Sequence, residues 1–179
     1  MPDGRGRGDA RGGIEATAFF YNPNIQPFLE FRKRIKAMRV LLEREKIPAE
    51  IVEEFGFETY VREIYDPDAR RRCENCYRVR LLRTARRAAE EKFAGFTTTL
   101  LGSAHQDQEL IRKVARAAAA ETGVEFLDRD FRALSDAAHE EARRRGIYRQ
   151  AYCGCCLSEY ERYRHTTREV YRGGPKEVR

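Results

Sequence analysis

The sequence contains no apolar run approaching the roughly 18 residues that a membrane-spanning helix needs, so no such helix is expected. The opening stretch MPDGRGRGDARGG has no apolar core of the kind a secretory leader carries. Nor is there a G-x-x-x-x-G-K-S/T loop, a G-x-G-x-x-G turn after a strand, or an H-E-x-x-H pair. A nucleotide-driven enzyme is therefore disfavoured. Histidine is scarce, with three in 179 residues: His105 beside a helix start, His139 in a charged stretch and His165 in the tail. Surface or packing roles are expected for all three. Apolar residues are plentiful and unevenly placed, which excludes collagen, coiled coil and wholesale disorder. The expected protein is soluble, cytoplasmic and single-domain.

At 179 residues a chain can bury about 70% of its unfolded surface. With 36% charged against 41% hydrophobic side chains, the core is thin but adequate. Net charge is +6, and arginine dominates, with runs at Arg70, Arg71, Arg72 and at Arg143, Arg144, Arg145. Arginine forks match phosphate geometry, so a nucleic-acid surface is one reading. The other is a GC-rich genome that encodes arginine where others use lysine, the runs being offset by acids such as Glu140 and Glu141. Composition alone does not choose.

Residues 1–13 hold five glycines and three arginines without apolar periodicity, and read as disordered or foreign to the fold. Residues 14–165 read as a single α/β domain and 166–179 as a polar tail. ATAFFY (16–21) is strand-like and stops at Asn22-Pro23-Asn24, where the two asparagines are expected to shape a turn near the sheet edge. Phe28, Phe31, Ile35, Met38, Leu41 and Leu42 share one helical face. Pro48 ends that helix, a strand over 49–53 follows, and a short helix is expected over 58–64. The pattern Val79, Leu82, Ala85, Ala89 predicts a helix over 76–92, with Gly95 as its stop. FTTTLL (96–101) reads as a strand running into Ser103, an N-cap candidate with Gln106 at the capping-box position. A helix holding Leu110, Ile111, Val114, Ala117 and Ala118 stops at Gly123. Residues 124–127 read as a strand, and 136–145 as a helix closed by Gly146. This alternation predicts an α/β layer fold with a mostly parallel sheet.

The five cysteines fall into two groups, Cys73-E-N-Cys76 and Cys153-G-Cys155-Cys156. Cytosolic thiols are kept reduced, so a disulfide framework is not expected. One metal site assembled from distant segments is the natural reading. The C-x-x-C spacing lets two sulfurs face one centre. Arg71, Arg72 and a helix start at Cys76 would favour thiolate. Gly154 allows the tight turn that would bring Cys153 and Cys155 round the same centre. Sulfur ligands select zinc or an iron–sulfur cluster over magnesium or calcium. A structural zinc site, an iron–sulfur cluster and a redox dithiol all stay open on spacing alone.

The segments FFYNPNIQPFLEFRKR, CENCYRVRL, TTTLLGSAHQDQELI and GIYRQAYCGCCLSEY, in that order from about Glu15 to Tyr160, resemble the epoxyqueuosine reductase QueH family. The resemblance implies a Rossmann-like (HUP-type) parallel sheet with flanking helices. It also implies a cobalamin-independent reductase of epoxyqueuosine at the tRNA wobble position (Asn, Asp, His and Tyr tRNAs), fed by an unidentified electron donor. The implied cofactors are a [4Fe-4S] cluster and an additional iron ion, with Cys73, Cys76, Cys153 and Cys155 among the ligands. Family members also carry an N-terminal His-x-Cys-Cys segment before the ATAFFY strand. Here that place is Arg- and Gly-rich, with no cysteine or histidine before residue 73. The expectation is a missing first strand and helix, through a misassigned start or divergence. A diverged relative would be a binding module with a structural zinc. Cys156 is an extra thiol where no ligand is expected. Tyr77 and Tyr152, each next to a cysteine pair, are candidate proton donors, or aromatic shields over the cluster. Arg70, Arg71, Arg72 and Arg149 are candidate phosphate contacts, and Tyr148 is a candidate stacking partner for an unstacked base.

Overall fold

The computed structural model describes residues 15–166. The expectations for residues 1–13 and for most of the tail lie outside the described residues. Strand β1 (Ala18–Phe20) leads through Asn22-Pro23-Asn24 into helix α1 (Phe28–Glu45). Helix α1 ends at Lys46, in the left-handed conformation at φ 53, and strand β2 (Ala49–Ile51) follows Pro48 and pairs parallel with β1. Helix α2 (Phe57–Thr59) continues into a π-turn, Tyr60–Ile64. Helix α3 (Ala69–Glu90) is the longest element. Strand β3 (Gly95–Phe96), a 3-10 turn (Thr99–Gly102), helix α4 (Gln108–Thr122) and strand β4 (Glu125–Phe126) come next. A 3-10 turn (Arg132–Leu134), helix α5 (Ser135–Arg144) and helix α6 (Cys156–Tyr163) complete the chain.

The fold is mixed α/β with parallel pairing, as expected, but the ladders are short. Among the described residues the strands form two separate two-stranded pairs, β1-β2 and β3-β4, rather than one continuous sheet. Each pair is a βαβ unit, its parallel strands joined across a helix, α1 in the first and α4 in the second. The main core lies between α3 and α4. Tyr77, Leu81, Ala85 and Ala88 of α3 meet Leu110, Ile111, Val114, Ala115 and Ala118 of α4, with Phe96, Leu101 and Val124 closing the ends. Burying a side chain such as Leu81 or Ile111 contributes about 1.5–3 kcal/mol. A second, smaller core of Tyr60, Ile64, Val79 and Cys155 carries the cysteines, and a third of Phe20, Ile25 and Phe31 lies under α1.

Several local expectations are corrected. Helix α3 starts at Ala69, not at Cys76, because Asp68 caps it by accepting from the Arg71 N–H at 2.8 Å. Its inward face runs through Leu81 and Ala88, leaving Leu82 half-buried and Ala89 exposed. The helix turns off at Lys92, with φ 60, and Gly95 lies inside β3, where a Cβ would stand 3.0 Å from the Glu125 carbonyl. The FTTTLL strand is cut to its first residue, since Thr98 Oγ1 accepts from the Leu100 N–H and starts a 3-10 turn. The cap of α4 is Asp107, which accepts from the Leu110 N–H at 3.0 Å, while Ser103 only closes a local turn with the His105 N–H. Ala115 and Ala118 are the buried small residues of α4, and Ala117 is exposed. Gly123 (φ 73) and Gly146 (φ 63) do terminate α4 and α5.

A cysteine centre clamped from the first helix

The candidate site lies where α3 meets the segment that leads into α6. Cys73 and Cys76 are three residues apart on α3 and therefore share a face. Cys155 is the N-cap residue of α6 and is buried, Cys153 is half-buried, and Cys156 is exposed. Cys76 and Cys153 pack on the same small core as Cys155, and Cys73 feels the charges of both Cys153 and Cys155. The two cysteine pairs are thus brought together from parts of the chain about eighty residues apart.

The expected thiolates are not favoured in this environment. Burial pushes the Cys73 thiol above its ordinary value, with the Cys153 charge adding to it and Arg72 only partly opposing. Burial pushes Cys76 up to about 12. The helix N-terminus that was to stabilise a thiolate lies at Ala69, a full turn or more away. At Cys73 and Cys76 desolvation and the neighbouring sulfurs outweigh the arginines, so these two thiols rest protonated until a cation draws the site together. Soft donors converging in this way match the ligand chemistry of zinc or an iron–sulfur centre. Among the described residues, no group of three or more His, Cys, Asp or Glu is arranged to hold a metal ion. The donor chemistry fits a thiophilic centre, although the sulfurs do not close on a single ion.

Tyr60 is a residue that sequence reading missed. Its hydroxyl lies 3.1 Å from Cys155 Sγ and accepts from Cys156 Sγ at 3.3 Å. Burial and these two sulfurs raise its pKa well above the ordinary phenol value. The tyrosines singled out from the sequence are also engaged. Tyr77 is buried, donates to Gln106 Oε1 at 2.8 Å, and has its pKa raised chiefly by burial. Tyr152 donates to the Gln26 carbonyl at 2.8 Å. Tyr148, 42% exposed, donates to both carboxylate oxygens of Glu30 at 2.9 and 2.7 Å.

Arg34 and Glu30, on the inward side of α1, were also missed. Arg34 is buried, with Nε donating to Glu30 at 2.7 Å. Nη1 donates to the Cys153 carbonyl and Nη2 to the Tyr152 carbonyl, both at 2.9 Å. Its guanidinium also lies over the Tyr152 ring, 5.4 Å from the centroid. Asn24 donates to the Cys153 carbonyl at 3.3 Å, and the Gln26 N–H donates to the Gly154 carbonyl at 2.7 Å. Burial alone would raise the Glu30 pKa, but the bonds from Tyr148 and Arg34 and the charges of Arg34 and Lys33 overcome it and hold the carboxyl below its usual range. The available signal was the i, i+4 spacing of Glu30 and Arg34 beside the buried Phe31. Charge made both look solvent-facing.

The arginines divide. Arg70, Arg71 and Arg149 are exposed. Arg72 is 3% exposed and is turned inward, donating to Glu161 at 2.6 Å and to the Asp66 carbonyl at 3.0 Å. It ties α3 to α6 beside the cysteines instead of offering a fork to phosphate. Arg143, Arg144 and Arg145 are ion-paired with Glu140, Glu141 and Glu45, so acidic neighbours offset this run. An open cleft of about 320 Å³ lies beside the Cys153 loop, its wall including Leu29, Glu30, Lys33, Tyr148, Tyr152 and Tyr163.

A family model described as Epoxyqueuosine reductase QueH matches residues 9–161, which takes in both cysteine groups. The chain belongs to the QueH family. An epoxyqueuosine reductase QueH of Dehalococcoides mccartyi is 35% identical over 160 residues, covering 84% of this chain and 82% of that protein. The QueH of Thermotoga maritima is 34% identical over 158 residues, covering 83% and 81%, and that of Acinetobacter baylyi is 31% identical over 152 residues, covering 82% and 70%. The family is one of oxidoreductases. No described helix is long and apolar enough to cross a membrane.

Proposed function

We propose that this chain is an epoxyqueuosine reductase acting on tRNA. The observation that carries the reading is the convergence of two cysteine pairs in a chain of the QueH family. The reaction takes the epoxide to an alkene and water, and so requires two electrons and two protons. Cys73, Cys76, Cys153 and Cys155 would hold a [4Fe-4S] cluster, with an additional iron nearby and no cobalamin. Such a centre would supply electrons one at a time and an acidic site for the leaving oxygen.

The protein's own part is positioning, shielding and proton supply. Arg70, Arg71 and Arg149, all exposed near the cysteine segments, would bind backbone phosphates of the anticodon loop. Tyr148 and the cleft beside it would receive an unstacked base. Tyr77 and Tyr152 remain candidates for proton delivery, each with its O–H already held in place, by Gln106 and by the Gln26 carbonyl. The substrates would be the Asn, Asp, His and Tyr tRNAs, in the cytoplasm, with electrons from a separate donor. We also read the two βαβ units as parts of one Rossmann-like, HUP-type arrangement, supported by their parallel strands and helical crossovers.

The test is anaerobic reduction of epoxyqueuosine-containing tRNA by iron- and sulfide-loaded protein with a chemical reductant, followed by nucleoside analysis. Queuosine should form with wild type and fall to background with Cys76→Ala or Cys155→Ala. Metal-loaded protein that leaves epoxyqueuosine intact would overturn the reading.

A further inference from the structure

We propose that Arg34 is the positioning residue of the cysteine centre, fixing the backbone from Tyr152 to Cys155 so that Cys153 and Cys155 face the α3 pair. The inference rests on reading those thiols as one centre. Three consecutive carbonyls, of Tyr152, Cys153 and Gly154, are all fastened by residues 24–34. Arg34 alone takes two of them with the parallel nitrogens of one fork, while Asn24 adds a second bond to Cys153. A lysine cannot reproduce two such directed bonds. With its carbonyls secured by Arg34 of α1 and by the Asn24 side chain and Gln26 N–H just before that helix, the loop needs no strand or helix to hold its shape, and both cysteine side chains stay free of that task.

Two further features show a fitted arrangement. Gly154 adopts φ +112, and a Cβ there would lie 2.9 Å from Ile25 Cγ1 and 3.0 Å from Arg34 Nη1, so loop and guanidinium are in direct contact. Arg34 is itself held, by Glu30 at Nε, and Glu30 is held in turn by Tyr148. The buried guanidinium therefore has an orientation set by Glu30 and by the Tyr152 and Cys153 carbonyls, and it places a fixed positive charge behind a segment whose thiols must become anionic on binding metal.

The test maps thiol reactivity in the metal-free protein, by timed iodoacetamide labelling and peptide mass spectrometry. In Arg34→Met, labelling of Cys155 should accelerate about tenfold or more, as the loop opens locally, while Cys73 and Cys76 change less than about twofold. Arg34→Lys should fall between wild type and Arg34→Met. Glu30→Gln, which leaves the fork in place but weakens its orientation, should show a smaller acceleration in the same direction. An unchanged Cys155 rate in Arg34→Met and Glu30→Gln would overturn the proposal. So would parallel acceleration of all four cysteines, which would make Arg34 a support of the whole fold. Loading the same proteins with ferrous iron and sulfide gives a separate answer. Wild type that takes up neither would defeat the metal reading, whereas the thiol map judges the clamp regardless.

Discussion

Replacing Gly154 by alanine should destabilise the protein by about 3 kcal/mol, and the number can be separated into its parts. The backbone at φ +112 lies in a region that side-chain-bearing residues adopt at a cost of about 1–3 kcal/mol. The added Cβ would also stand 2.9 Å from Ile25 Cγ1, 3.0 Å from Arg34 Nη1 and 3.3 Å from Ile25 Cα. Ile25 is 2% exposed and Arg34 is tied by three hydrogen bonds, so neither can yield cheaply. Overpacking of this kind costs about 1–3 kcal/mol more. At about 2–4 °C per kcal/mol for a chain of this length, the midpoint should fall by about 6–12 °C. Gly146→Ala is the matched control. That glycine has φ +63 but nothing within 4 Å of its would-be Cβ, so only the backbone contribution of about 1–2 kcal/mol applies. Urea and thermal unfolding of the metal-free proteins, run side by side, measure the difference. Equal losses in the two variants would refute the close contact between the loop and α1.

Other expectations concern charge. Arg72→Met should cost about 2–3 kcal/mol by thermal melting, below the loss for a fully enclosed pair because Glu161 is 41% exposed, whereas Arg71→Met should stay within about 0.5 kcal/mol of wild type. Replacing Arg70 and Arg71 together should weaken binding of an anticodon stem-loop and lower the salt slope of log K by about 1.4–1.8, read by fluorescence anisotropy at several salt concentrations. The Glu30 carboxyl is held below its unfolded value, so its contribution to stability is full above the usual carboxylate range and is lost as pH falls through the lower folded value. Stability measured from pH 6 down to pH 3 should therefore decline less steeply in Glu30→Gln than in wild type.

The elements that were readable from the sequence were those whose pattern is apolar and long. Helices α1 and α4 follow from helical periodicity, and the ends of α4 and α5 from the left-handed backbone that Gly123 and Gly146 permit. The N-termini were harder. Asp68 and Asp107 outcompeted the apolar pattern at Cys76 and the capping-box pattern at Ser103, because a side-chain carboxylate directed at a free N–H decides where a helix begins. Strand β3 is shorter than the FTTTLL run because threonine favours strands and also bonds to its own backbone, and Thr98 takes the second course. At the site, the cysteine pairs were legible by spacing alone. Their support was not. Arg34, Glu30 and Arg72 are charged residues placed inward, and composition assigns charge to the surface. Only the loop, with its Tyr152 and Cys153 carbonyls to be satisfied, explains why Arg34 turns in.

The most direct measurement is the iron, acid-labile sulfide and zinc content of anaerobically purified, iron–sulfide-reconstituted protein, with its visible spectrum. About four or more irons per chain with matching sulfide and a broad band at roughly 400 nm are expected, all lost in Cys76→Ala. One zinc per chain with no sulfide would contradict the cluster and leave the four thiols as a structural site.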